Sequence, residues 1–328
     1  MNETVDIDLP IKIIITIEGI IGTIFNIAAT AVVFNVHFGT KFTTFIFRAQ
    51  PIFDLSACLS TTIYYIIQFT VNYNGSTGLY IIDKLLCHFW FRNALFWLPC
   101  ILSVQNLVCI SLDRVSSVIF VGLHRAYSNK FFLLYFFYMI SMVLLLYSPV
   151  PLLRRYDHAE CIMDFSFPWI KTRVFIEYVV YSWAIFAYFM PILVMLISHV
   201  WVIHAIKMTQ SPHHCSLSQN VESSLKIKQK IHQLVITTAI MSLQQAVLHS
   251  FECIVQILVL NGVIIYTYGT PVDQLSTFLI LLGCMSNPCI LVFSTTTLRR
   301  RLSTSFKSIS DRMSTIGGIA QLTKSSTQ

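Results

Sequence analysis

An aspartate and an arginine stand side by side at the end of an apolar run: Asn106-Leu107-Val108-Cys109-Ile110-Ser111-Leu112 is closed by Asp113-Arg114. Such a pair can hold itself together or trade partners, which is the chemistry of a switch rather than of bond making. A plain ion pair of small energetic consequence is the alternative. Asp54 and Glu252 are carboxylates inside apolar surroundings, where each needs a partner to be tolerated. The histidines His199, His204, His232 and His249 are scattered, without the H-E-x-x-H spacing that sets two imidazoles on one zinc ion. No glycine-rich loop could cradle a phosphate, and no His, Asp or Ser constellation is concentrated enough for catalysis. These residues point away from an enzyme.

The elements that would position them are long and apolar, at 11–36, 45–71, 84–119, 130–153, 175–206, 229–260 and 271–295. Roughly 20 helical residues cross the hydrocarbon core of a bilayer, so each is long enough to span it. None alternates at period two, as barrel strands would. With 55% hydrophobic and 11% charged residues, the chain is suited to a surface solvated by lipid. The expected fold is an all-α membrane protein: an N-terminal segment 1–10, one seven-transmembrane helix bundle over 11–297, and a tail over 298–328.

Lys41, Arg48, Arg125, Lys130, Lys207, Lys226, Lys228, Lys230 and Arg299 to Arg301 fall on one side of these spans with few acids among them. Positive loops resist translocation, so that side is expected to be cytoplasmic. The other carries Glu3, Asp6, Asp8, Asp83, Asp157, Glu160, Asp164 and Asp273, with Arg154, Arg155, Lys171 and Arg173 in the minority. Seven spans then leave the amino terminus outside. The short acidic start has neither a basic n-region nor a cleavage pattern, so no removable signal is expected. Two glycosylation sequons, at Asn2 and Asn74, fall on the outer side, weak support from so short a motif. Of nine cysteines, Cys58, Cys100, Cys109, Cys253, Cys284 and Cys289 read as small buried thiols, and Cys215 lies in a basic inner loop. Only Cys87 and Cys161 share the oxidising compartment, and a disulfide between them is expected.

Over nearly its whole length the chain resembles a rhodopsin-like G-protein-coupled receptor. Asn26 and Asp54 are separated as that family separates an inward Asn and Asp. The stretch from Ser103 to Arg114 is similar to its third helix with a D-R-Y-type end, and Asn287-Pro288 resembles N-P-x-x-Y. Leu298, Leu302 and Phe306, set against Arg299, Arg300 and Arg301, resemble the short amphipathic eighth helix on the membrane surface. The texture from Cys87-His88-Phe89-Trp90 to Asp113-Arg114 is similar to orphan receptors expanded in flatworms. The resemblance implies a plasma-membrane receptor for an extracellular ligand, with a heterotrimeric G protein as inner partner, lipid around it and no nucleic acid. It implies a polar core of Asn26, Asp54 and Asn287. It implies no cofactor beyond a sodium ion, held by Asp54, Ser103 and Asn287 as an allosteric modulator. It also implies a switch at Asp113 and Arg114, a coupling surface that includes Phe120 and Leu123, and a pivot at Pro288.

Departures qualify this. Leu291 stands where N-P-x-x-Y has its tyrosine and Val115 ends the D-R-Y motif; helix four lacks the usual tryptophan, and helix six, around Ser242 to Glu252, lacks the tryptophan and proline of C-W-x-P. More residues than usual separate Cys87 from Arg114. The inner end of helix six reads Lys226, Lys228, Lys230 instead of offering an acid, so Asp113 is expected to restrain Arg114. Pro191 is a second candidate pivot.

Cavities of this kind are concave and mostly apolar with a few polar groups. The candidates in the outer half are Trp90, Arg92, Phe96 and Trp97 on helix three, Tyr181 and Trp183 on helix five, Gln245, His249, Glu252 and Gln256 on helix six, and Asp273 and Thr277 on helix seven. Taken singly, each aromatic favours packing. No acid lies between Lys84 and Asp113, so the amine anchor of monoamine receptors is missing, its approximate position being Phe96; helix seven has no lysine for a retinal Schiff base. A peptide, such as a neuropeptide, is favoured over both. The competing classes are a transporter, although no internal repeat or paired broken helix is visible, and a ligand-gated sensory channel, whose amino terminus would lie inside.

Overall fold

The computed structural model describes residues 8–70, 77–152, 154–157, 160–163, 172–209, 221–264 and 270–304. Its helices are α1 (Asp8–Phe34), α2 (Lys41–Thr70), α3 (Tyr80–Phe89), α4 (Ala94–Ile119), α5 (Val121–Ala126), α6 (Ser128–Leu146), α7 (Pro149–Leu152), α8 (Thr172–Ser182), α9 (Met190–Thr209), α10 (Val221–Leu260) and α11 (Pro271–Ser294). Helical backbone resumes over 296–304. Seven stretches are long and apolar enough to cross a membrane: Leu9–Phe34, Lys41–Phe69, Tyr80–Ile119, Ser128–Leu146, Val174–Met208, His232–Leu260 and Pro271–Ser294. They coincide with the seven apolar runs, and the chain has the build of a multi-pass membrane protein. Large apolar side chains on the outside of the bundle, such as Ile24, Leu133 and Leu196, lie more than half exposed to solvent. A water-soluble domain would have to bury them.

Two runs end or break differently from expectation. The fourth was read to 153, but α6 stops at Leu146, because Pro149 and Pro151 supply no backbone N–H to carry it on. The third was read as one helix. Instead α3 gives way at Trp90 to a 3₁₀ turn, Phe91–Asn93, and α4 starts afresh from Asn93 in a left-handed conformation, φ 53°. Asparagine tolerates that region better than most residues.

α4 is the central post, packed on α2, α6, α9, α10 and α11. Ile46, Phe47, Leu107, Ile110, Met195, Met241 and Leu291 form its main apolar core, and Leu298 and Leu302 of 296–304 pack onto the same cluster while Arg299, Arg300 and Arg301 stay exposed. α1 approaches α2 closely through Gly19 and Gly22. A Cβ at Gly22 would meet Cys58 Sγ at 2.6 Å, and one at Gly19 would meet Thr62 Oγ1 at 2.4 Å. Small residues at such crossings are how helices in lipid come close.

Prolines shape the other contacts. Proline removes a donor and crowds the preceding turn, and ahead of Pro191 the segment Trp183–Phe189 widens into π-helix. In the i to i+5 pattern of a π-turn, residue 191 would donate to Phe186. Proline cannot, and Gln105 Nε2 of α4 donates to that carbonyl instead at 2.9 Å, while Tyr138 of α6 donates to Gln105 Oε1 at 2.5 Å. Pro288 similarly frees Cys284 four residues earlier, and Asn26 Nδ2 donates there at 3.1 Å. Pro51 and Pro99, inside α2 and α4, went unremarked in the sequence. Gln105→Leu should therefore orphan a buried carbonyl and a tyrosine hydroxyl, at a cost of about 1–3 kcal/mol. Thermal unfolding of the purified variant should show a clear loss; an unchanged midpoint would remove Gln105 from this role.

The expectation of a wholly helical chain needs one correction. Arg154–Asp157 (β1) and Glu160–Met163 (β2) pair as an antiparallel hairpin, Tyr156 opposite Cys161. The segment lies between spans, where strand edges are free of the constraint that hydrocarbon places on unpaired backbone.

Candidate functional site

Asp54 lies fully buried at the centre of the bundle. Ser103 Oγ donates to Oδ1 at 2.6 Å, and Gln50 Nε2 and Asn287 Nδ2 each donate to Oδ2 at 3.2 Å. Three helices, α2, α4 and α11, thus meet on one carboxylate. Gln50 also donates to Ser103 Oγ at 2.7 Å and accepts from Asn106 Nδ2 at 2.9 Å; Asn106 in turn accepts from Tyr135 of α6 at 3.1 Å. Asn26 does not bond Asp54 but completes the same layer through Cys284. The Oδ1 atoms of Asn26 and Asn287 are buried without a hydrogen-bond partner. A buried acceptor left bare is costly, so two amide oxygens beside a carboxylate suit a donor such as water, or a hard cation, which prefers oxygen ligands.

At the other end of α4, Asp113 and Arg114 are both buried and paired with each other. Thr43 Oγ1 of α2 donates to the Asp113 carboxylate, 3.1 Å from either oxygen. His124 Nε2 of α5 lies 3.6 Å from Asp113 Oδ1, with its Nδ1 3.1 Å from Ser116 Oγ. The Arg114 guanidinium sits over the Phe47 ring, 5.3 Å from its centroid, and its Nε has no partner. Among the described residues no acid of α10 pairs with Arg114, and the side chains of 221–228 lie outside them. Phe120 is exposed and edge-on to Trp201 at 6.2 Å. The side chains of Leu123, Lys226, Lys228 and Lys230 lie outside the described residues.

At the opposite end Cys87 and Cys161 form a disulfide, which ties the hairpin to α3. Arg154 of β1 donates to the Cys87 and His88 carbonyls at 3.3 and 3.0 Å. Asp83 accepts from Thr77 N–H and Oγ1 at 2.6 and 2.7 Å and from Tyr156 at 3.0 Å. Cys58, Cys100, Cys109, Cys253, Cys284 and Cys289 are free thiols. Asn2, Asn74, Cys215 and Phe306 lie outside the described residues. Mass spectrometry of non-reduced peptides from surface-expressed protein should recover Cys87 and Cys161 linked, and Cys161→Ser should lower thermal stability by about 2–4 kcal/mol. Recovery of both thiols free would refute the bridge.

The candidates for ligand contact separate into two groups. Phe96, fully buried, packs on Trp97 with centroids at 5.3 Å; Trp97 meets Trp183 edge-on at 5.4 Å, and Trp183 Nε1 donates to Leu146 O at 3.0 Å. Trp90 leans on Tyr64 at 5.7 Å. These are joints between helices. Tyr181 of α8 is 53% exposed. The Arg92 side chain is outside the description. The polar candidates of α10 and α11 bond within their own helices: Gln245 bonds His249, Gln256 Nε2 donates to Glu252 Oε1 at 2.7 Å, and Thr277 Oγ1 donates to the Asp273 carbonyl at 3.1 Å. Among the described residues there are cavities elsewhere. A 630 Å³ groove opens on the bundle surface beside Phe34, Lys41, Arg48, Leu102 and Met139, and a 510 Å³ cleft lies between Tyr80, Lys84, His88, Arg154 and Arg155.

Sequence reasoning missed Gln50, Thr43, His124, Tyr135 and Glu18. Glu18, in α1, is 5% exposed with neither carboxylate oxygen partnered. It carried the signal that Asp54 carried, an acid inside an apolar run. The chain matches no protein-family model, and no curated protein is significantly similar to it.

Proposed function

We propose that this chain is a divergent rhodopsin-like G-protein-coupled receptor of the plasma membrane, with its amino terminus outside, that binds an extracellular ligand and drives nucleotide exchange on a heterotrimeric G protein. The observation that carries the reading is the polar line through the bundle. Asp54, Ser103 and Asn287, picked out by the family resemblance, converge on one carboxylate although they are far apart in sequence. Gln50 and Asn106 continue the line along α4 towards Asp113 and Arg114. A disulfide at one end and a restrained arginine at the other give such a bundle an outer anchor and an inner switch.

Receptor action requires two bundle states and partners that bind them unequally. The prolines at 191 and 288, whose vacated carbonyls are held by single side chains of α4 and α1, are where the helices can bend between states. The residues near Asp54 suit a sodium ion, with Asp54, Ser103 and Asn287 as its oxygen donors. The helical segment 296–304, apolar at Leu298 and Leu302 and basic at Arg299 to Arg301, suits a short amphipathic helix at an anionic inner leaflet. The reading is tested by reconstituting the chain with heterotrimeric G proteins and measuring guanine-nucleotide exchange. Exchange above the rate of the G protein alone supports it. Absence of exchange with every Gα class, or accumulation of a solute in cells expressing the chain, would replace it.

A further inference from the structure

Glu252 of α10 is 9% exposed, and only one of its two oxygens is used: Gln256 Nε2 holds Oε1, while Oε2 is buried without a partner. Across the helix interface Ser276 of α11, itself buried, lies within reach of the same carboxylate, and its Oγ makes no other hydrogen bond. Asp273, one turn further along α11, lies close enough to act on Glu252 electrostatically. His249, the nearest side chain on α10 able to carry positive charge, is engaged with Gln245. Neither α10 beyond Lys230 nor α11 contains a lysine or arginine, and the acid of α1 at this end of the bundle, Glu18, is bare as well.

A carboxylate out of water needs a counter-charge or full hydrogen bonding. The protein supplies one amide. Beyond it the carboxylate has the neighbouring Ser276 hydroxyl and, among the residues of α10 beyond Lys230 and of α11, no lysine or arginine, and its remaining lone pairs are the acceptors that an N–H-rich cation fills. We infer that Glu252, with Ser276 beside it, is the counter-ion for a cationic group of the ligand, a primary ammonium or a guanidinium, bound between α10 and α11. The amine anchor that helix three lacks is thereby placed on the opposite wall. The inference rests on the receptor reading only for the existence of an outer-half ligand.

The test uses the full chain in lipid nanodiscs and four matched probes: phenethylamine, phenethylguanidine, neutral phenethyl alcohol and anionic phenylacetate. The wild type should bind at least one cationic probe at least tenfold more tightly than the alcohol, and the acid more weakly still. The better cation separates a small amine or peptide amino terminus from an arginine head. Glu252→Gln keeps the shape and the Gln256 bond, and should lose at least tenfold affinity for that cation with little change for the alcohol; Ser276→Ala should lose a few-fold. Glu252→Asp, which keeps the charge, should retain most cation preference and serves if the glutamine variant fails to fold. Equal binding of cation and alcohol, or an unchanged cation affinity in Glu252→Gln, overturns the assignment, as does a loss seen in Glu18→Gln alone. Binding is read without a G protein. Cation preference without nucleotide exchange would sink the receptor reading and leave this one standing, and exchange without cation preference would do the reverse.

Discussion

Arg114→Ala is expected to abolish nucleotide exchange at normal surface level, whereas Lys228→Ala should change it little. Arg114 is buried at the end of α4, with Asp113 as its acidic partner and the Phe47 ring beneath it. Reaching a protein docked at that end requires it to leave Asp113. Asp113 would then still accept from Thr43 and lie beside His124, so release does not strand a buried carboxylate. That lowers the cost of the open state and lets a ligand's differential affinity shift the population. A lysine in the inner loop adds only a salt-screened attraction. The partner variant should act in the opposite direction. Asp113→Asn removes a charge-assisted bond worth about 1.5–3 kcal/mol, enough to raise basal exchange by tenfold or more, whereas Thr43→Val, which takes away the bond that Asp113 keeps in the open state, should lower it. Exchange rates of reconstituted variants check the set. Equal, small effects of Arg114→Ala and Lys228→Ala would remove both the switch and the proposed G-protein partner.

The parts of this arrangement that the sequence made visible are those written in one dimension. Apolar run length located the seven long helices, and compartment logic paired Cys87 with Cys161. Gln50 could have been found as well, since it stands four residues before Asp54 on the same helix and such pairs are neighbours on one face. Thr43 and His124 could not, because their approach to Asp113 depends on how α2 and α5 are rotated against α4. The break at Trp90 to Asn93 left no mark in the apolar run, and its position was set by which residue could take a left-handed turn. The place of Tyr181 could not be read for a related reason: an aromatic near the end of a span fits lipid-facing and interior positions equally well, and only helix rotation decides.

Asp54→Asn should leave surface expression intact and erase the effect of sodium on basal nucleotide exchange. In the wild type an ion held by Asp54, Ser103 and Asn287 would tie α2, α4 and α11 together. It would bind the packing that brings them close better than one that parts them, so replacing choline chloride with sodium chloride should lower basal exchange. The new amide keeps the volume of the carboxylate but offers one acceptor oxygen where two now receive Ser103, Gln50 and Asn287. Its NH₂ would face the amide nitrogens of Asn287 and Gln50; Asn287 can turn its amide over and offer Oδ1, which has no partner at present, while Gln50 Nε2 keeps its bond to Ser103 Oγ. That spare acceptor is why the change should be tolerated at a cost of about 1 kcal/mol, while the charge that attracts the ion is gone. Asp54→Ala, by contrast, leaves three buried donors facing a void and should lower thermal stability by several kcal/mol. If exchange in Asp54→Asn stayed as sensitive to sodium as in the wild type, the ion would have to bind elsewhere and Asp54 would be a structural knot of hydrogen bonds between three helices.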